Sequence, residues 1–321
     1  MRESVESVQD ITRCSAQSTS RMTGAVAPRL RGANMKTPLP GIYHGVSFED
    51  YLAWGAVSNS SLSPATKSML HYYHQRRQVE TPAMRLGHIV HAGKLEPATL
   101  LKDYAIMPNF IPLLSKEYLK PRASKEYKAL VSAWRVDYEG KNIVTQDEFN
   151  KLKGILVSLA ANPVASEYLG RGEAEVSIVW EDRDSGVLCK GRADWWDEDA
   201  NAITDLKTTK DCGEFERAIV RFHYHRQGAF YVDGMQTLTG KQHNFRIVAV
   251  ETTEPYGVRA APMSPEALEV GREEYKKLLC DVAKCRTLGL WPGYKNPDEW
   301  ALPEWMMPET EIKLNGKDIT A

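Results

Sequence analysis

The chain has 321 residues and a mass of 36.1 kDa, with 42% hydrophobic and 26% charged residues, enough apolar material for two domains of about 150 residues or one enlarged one and unlike a disordered, collagen-like or coiled-coil chain. Forty-one Lys and Arg against 42 Asp and Glu leave a formal net charge of −1, so a polyanion-binding surface has to be local. No apolar run approaches the roughly 18 to 20 residues that cross a bilayer, and the five cysteines, odd in number and without a CxxC pair, suit a reducing cytoplasm and read as small buried hydrophobes.

Residues 1–34 mix Ser, Thr and Arg without periodicity or an apolar secretory segment, and read as a disordered leader or optional extension ahead of Met35. A main domain over 35–310 and a C-terminal tail over 311–321 complete the expected division. Ser58–Arg77 predicts one capped helix, with Ser and Pro ahead of apolar residues at helical spacing and two arginines at the end. A second helix is expected over Pro82–Lys94, where Gly87 and His91 stand four apart on one face. Glu96–Gly170 predicts mainly helix. From Ala174 to Trp180 the period changes to two, a turn follows at Glu181–Gly186, and strands over Val187–Trp196 and Ala202–Thr208 complete a meander. A helix of about Glu214–Met235, a strand over Phe245–Thr252 and a helix from Pro265 to about Arg286 close the series. The order predicts an α/β fold, a mixed central sheet flanked by helices.

Asp205 and Lys207 alternate on one strand and share a face, while Leu206 points the other way. Asp194, one hairpin earlier, is expected within reach of Asp205. Two such carboxylates repel unless a proton or cation lies between them, and oxygen ligands select Mg²⁺ or Mn²⁺. A lysine beside that cation can stabilise charge growing on phosphorus. Alone, a DxK step on a strand is an ordinary surface ion pair worth at most about 1 kcal/mol, so its companions matter. Tyr224, Gln227 and Tyr231 fall on one helical face. Arg217, Arg221 and His225 form a basic stripe at four-residue spacing, and Arg217–Arg226 holds three Arg, two His and no acid. That stretch, with Tyr224 and Arg226, suits a DNA backbone, or else a solvated face balanced by Glu214 and Glu216. His91, one turn after Gly87, is a candidate metal ligand.

In chain order, LGHIVHAGKLEP (Leu86–Pro97), EVSIVW, CKGRADWW (Cys189–Trp196), ITDLKTT (Ile203–Thr209) and YHRQGAFYVDG (Tyr224–Gly234) resemble the PD-(D/E)xK nuclease superfamily. More narrowly they resemble the RecE type, the exonuclease VIII family of prophage recombination proteins. SNSSL, WPGY (Trp291–Tyr294) and LPEW (Leu302–Trp305) are also similar to that group, so the resemblance spans about Met35–Trp305.

The resemblance implies a restriction-endonuclease-like core in which Asp194 and Asp205 bind the divalent metal with His91 nearby, Lys207 assists attack by water, and Gln227 and Tyr231 support the active site and DNA. Ala193 stands where the family pattern has Pro. Glu175 is either a further active-site carboxylate or a solvent-facing residue. The cysteine spacing does not match the four-cysteine iron–sulfur cluster of some relatives. The implied activity is a cytoplasmic, Mg²⁺-dependent exodeoxyribonuclease, with Mn²⁺ able to substitute, that resects linear duplex DNA 5′→3′ and leaves 3′ tails for a RecT-type annealing protein. It implies a ring-shaped homo-oligomer, and the lack of a long apolar run predicts no membrane association. Two other readings stand beside it: a non-catalytic or weakly catalytic DNA-end-binding recruitment module, and an endonuclease or repair nuclease of the same superfamily.

Overall fold

The central sheet of this computed structural model grows from the period-two stretches of the sequence. Residues 37–75, 79–297 and 300 are described, with the backbone of 312–314 and 317–319; the leader, Arg76, Arg77 and LPEW lie outside them. The strands are β1 (Gly41–Tyr43), β2 (Tyr104–Met107), β3 (Asn142–Thr145), β4 (Glu173–Glu181), β5 (Leu188–Asp197), β6 (Ala202–Thr209), β7 (Asn244–Glu251) and β8 (Val258–Pro262). Six form one sheet in the order β1-β4-β5-β6-β7-β8, and β2 and β3 pair separately. β4, β5 and β6 are the expected antiparallel meander. β7 lies parallel to β6, which requires the long helical crossover between them. The edge strands β1 and β8 escaped the sequence reading: the first has three residues, and the second, VRAAP, ends on a proline that only an edge tolerates. In the stretch expected as a tail, β9 (Ile312–Leu314) pairs with β10 (Lys317–Ile319).

The helices are α1 (Phe48–Ala53), α2 (Asn59–Leu62), α3 (Met69–Tyr73), α4 (Pro82–Leu95), α5 (Pro97–Asp103), α6 (Lys125–Asp137), α7 (Gln146–Ala161), α8 (Pro163–Tyr168), α9 (Phe215–Arg221), α10 (Tyr224–Thr239) and α11 (Pro265–Leu288). One sheet face packs Ile178, Trp180 and Phe245 against Phe230 and Met235 of α10 and Leu279 and Val282 of α11. The other packs Leu206, Val248 and Val250 against Ile89 and Val90 of α4 and Leu152 and Ile155 of α7. The alternation within TDLKTT therefore sends Leu206 to one layer and Asp205 to the other. Cys189, Cys212 and Cys285 are buried, as expected of small hydrophobes.

Two helices depart from expectation. The single helix over Ser58–Arg77 is instead α2, a 3₁₀ turn at Ser63–Thr66, and α3. Ser58 caps α2 reciprocally with Ser61, Pro64 has no N–H to continue the ladder, and the Ser68 hydroxyl accepts the His71 N–H to start afresh. The helix expected over Glu214–Met235 breaks at Phe222–His223, where His223 has φ +55°, and then runs on to Thr239 and the left-handed Gly240. Among the described residues no helix is long and apolar enough to cross a membrane.

Candidate active site

The β5–β6 ladder pairs Trp195 with Thr204, Trp196 with Ile203 and Asp197 with Ala202. Just beyond it the Asp194 carboxylate takes the place of a ladder acceptor and receives the Leu206 N–H at 2.8 Å. That draws the side chain towards Asp205, which is 1% exposed, sits against the Lys207 ammonium and accepts a 2.7 Å hydrogen bond from Gln227 Nε2. His91 reaches the same place from α4, with Nε2 2.7 Å from the Leu206 carbonyl. A carbonyl only accepts, so Nε2 carries the proton and the neutral ring keeps its lone pair on Nδ1, 3.7 Å from Asp194 Oδ2. Gly87, one turn before His91, faces Thr208, whose Oγ1 a Cβ there would meet at an ordinary contact distance of 3.4 Å.

Burial, and then the neighbouring Asp205 charge, push the Asp194 carboxyl up to about 7. Burial also opposes the charged form of Lys207, but the carboxylates of Asp205 and Asp194 outweigh it and hold the ammonium above the usual lysine range. Burial and the Lys207 charge keep His91 below its ordinary value, hence neutral. The Lys207 Nζ lies 5.0 Å from the centre of the Tyr224 ring. Tyr231 covers Gly191 so closely that a Cβ at 191 would lie 3.1 Å from its ring, and burial raises its phenol well above normal.

Glu175 enters through its backbone. It has φ +56° within β4, a left-handed conformation that costs a non-glycine residue of order 1–3 kcal/mol and clusters at functional sites. Strand pairing passes from Ala174–Trp195 to Val176–Ala193 across it. The kink brings the carboxylate inward, where Arg192 pairs with it and burial, followed by the Asp194 charge, raises its pKa. Arg192 is steadied in turn by a 2.7 Å hydrogen bond to the Val46 carbonyl.

Donor atoms of His91, Glu175 and Asp194 all lie within 4.8 Å of one another. Asp205 Oδ2 is buried and paired with the Lys207 ammonium. Carboxylates gathered beside an imidazole lone pair fit a divalent cation, and a set of mainly oxygen donors leans towards a hard one.

Of the residues singled out in the sequence, the structure brings together His91, Asp194, Asp205, Lys207, Tyr224, Gln227 and Tyr231. The basic stripe is corrected, because four-residue spacing aligns side chains only on one unbroken helix. Arg226 is fully buried and unavailable to DNA: its guanidinium donates to Asn59 Oδ1, Ser63 Oγ and Glu274 Oε1, each at 2.9 Å, and so ties α10 to α2 and α11. His225 turns into the same network, 3.3 Å from Glu274 Oε2. Arg217, paired with Glu214 at 2.9 Å, and Arg221, over the Phe222 ring, remain exposed. Arg192 was missed outright; its only sequence signal is register, since it faces Ser177, two residues from Glu175.

Residues 59–298 match the family described as a PDDEXK-like domain of unknown function (DUF3799). The fold is similar to the solved structure of a "Putative exonuclease" from Eubacterium rectale, with a TM-score of 0.50 and 14% identity over 79% of this chain and 96% of that one. A second solved structure, of the protein named SSO0001, reaches a TM-score of 0.26 and 16% identity over 60% of this chain and 85% of that one. No curated protein matches the chain.

Proposed function

The chain belongs to the PDDEXK-like domain family DUF3799, a member of the PD-(D/E)xK nuclease class by fold, and from that premise we propose that it is a Mg²⁺-dependent exodeoxyribonuclease acting on linear duplex DNA. The observation that carries the proposal is the convergence of Asp194, Asp205 and Lys207 with Glu175 and His91 in one partly buried cluster. Resection 5′→3′ to leave 3′ tails, delivery of those tails to a RecT-type annealing protein, and assembly into a ring belong to the same proposal and rest on the resemblance of the motifs to the RecE type alone.

His91, Glu175, Asp194 and Asp205 would hold the cation. A divalent ion bound there lowers the pKa of its water and offsets charge on the phosphodiester. Lys207, kept protonated by two carboxylates, presents a positive charge to the phosphorus centre as negative charge develops. Gln227 fixes the Asp205 carboxylate, and the Leu206 carbonyl fixes the His91 tautomer so that its lone pair faces the carboxylates. Arg192 orients Glu175 through its Oε2.

The test is digestion of an end-labelled linear duplex with and without Mg²⁺, read for which strand shortens. We expect loss of the strand with a free 5′ end only when the metal is present. Lys207→Ala should slow the reaction by at least about 10²–10³-fold, the usual effect of deleting one electrostatic stabiliser, and Asp205→Ala should abolish it, both with unchanged circular dichroism. Full activity in either variant refutes the assignment.

A further inference from the structure

Between β2 and β3, residues 108–141 hold seven Lys and Arg against four Asp and Glu, a local cationic excess in a chain of net charge −1. α6, at the centre of this segment, has no buried residue. Its first-turn Glu126 is occupied locally, accepting from the Ser115 N–H at 2.8 Å, the Ser115 hydroxyl at 2.9 Å and the Tyr118 hydroxyl at 3.0 Å. Arg122, Tyr127, Lys128, Val131, Ser132 and Arg135 line an open cleft of about 300 Å³. Lys128, Val131, Ser132 and Arg135 recur at i, i+3, i+4 and i+7, so one helical face builds most of it.

The cleft holds three cations and no acid. Arg122 meets Asp147 at 3.5 Å with both side chains exposed, a contact worth little. Lys128 and Arg135 have no carboxylate partner among the described residues. Like charges around a shared cleft repel one another, and a polyanion relieves that repulsion. The cleft also holds the Tyr127 ring, which packs edge-to-face on Phe110 at 6.3 Å, and beyond its lining Trp134 of α6 stacks at 4.4 Å on Tyr138, the residue that ends the helix. Cations interleaved with aromatic faces match a single strand, whose phosphates and unstacked bases are both accessible; a duplex hides its base faces.

We propose that this cleft is an accessory binding site for single-stranded nucleic acid, separate from the catalytic cluster. The inference rests on the reading of the chain as a nuclease. The segment is rooted on the helix that carries His91: Arg85 of α4, about 9 Å of helical rise before His91, donates to the Ile143 carbonyl of β3 and, at 2.8 Å, to Glu148 of α7. A strand held at the cleft and at the cluster is tethered at two points of one body, which raises its effective concentration at each.

The test is fluorescence anisotropy of a labelled 20-nucleotide oligo-dT with the full chain in EDTA, where no cleavage competes. The double variant Lys128→Ala/Arg135→Ala should bind about tenfold or more weakly at near-physiological salt, with the slope of log K against log salt shallower by about 1.4, the loss of two phosphate contacts to a single strand. Tyr127→Leu should weaken binding severalfold at unchanged slope. Hydrolysis of bis(p-nitrophenyl) phosphate, a diester without a nucleic-acid strand for the cleft to hold, should stay within about twofold in the variants. Unchanged oligo-dT affinity and slope in the double variant overturns the inference, and so does an effect confined to duplex of equal length. Failure of the wild type to hydrolyse the small diester counts instead against the nuclease reading, because the binding assay does not depend on turnover.

Discussion

Asp194 decides when the cluster can accept a cation, because its carboxyl titrates near pH 7 and a metal must displace the proton. Metal affinity should therefore fall by up to about tenfold per pH unit below 7. Calorimetry in buffers of different ionisation enthalpy should show close to one proton released per Mg²⁺ at pH 6 and almost none at pH 8.5; equal release at both would contradict the assignment. The same shift governs stability without metal. A group whose folded pKa is raised from 3.8 to about 7 stabilises the fold fully below about pH 4 and loses that contribution as the pH rises through 7. In EDTA, the stability of the wild type relative to Asp194→Asn should accordingly decline between pH 5 and 8 in chemical denaturation. Taking the difference removes most of the contribution of His91, which acts in the opposite sense at low pH because its folded pKa is depressed.

α10 joins the catalytic layer to the rest of the helical face. It turns Gln227 and Tyr231 to the sheet and Arg226 to α2 and α11, so its placement sets the geometry around Asp205. α11 packs tightly on it at Gly271, where a Cβ would lie 2.3 Å from the His225 carbonyl oxygen. Neither backbone can yield there without a shift of the whole helix. Gly271→Ala should cost about 1–3 kcal/mol, in the range of overpacked cores, lowering the thermal midpoint by several degrees and reducing turnover as Gln227 moves; an unchanged midpoint would show that the helices have slack. The break at Phe222–His223 has no glycine or proline to announce it. It reflects tertiary anchoring of Arg226 on one side and packing of Phe215 against Tyr224 on the other, which overrides local helix propensity.

For the whole molecule, the proposed activity distinguishes a chain end from a continuous backbone. Linearised plasmid should be degraded to completion in Mg²⁺, whereas the covalently closed form of the same plasmid should persist on agarose gels over the same period. Cutting of closed circles at a comparable rate would instead assign the cluster to an endonuclease. Both substrates present the same phosphodiester to the same residues, so the comparison isolates end recognition from chemistry.

The sequence by itself determined what depends on the period of a single element. Side chains alternate along a strand whatever surrounds it, so Asp205 and Lys207 share a face, with Asp194 one hairpin away. Helical spacing likewise puts Tyr224, Gln227 and Tyr231 on one side of α10. The tertiary structure alone decided what depends on a single backbone dihedral or on partners remote in sequence. Glu175 turns inward through a positive φ that no residue pattern signals. Arg226 looked like a surface cation until Asn59, Ser63 and Glu274 closed around it. The physical reason is range: periodicity is a property of neighbouring residues, whereas burying a charge requires partners that only folding brings together.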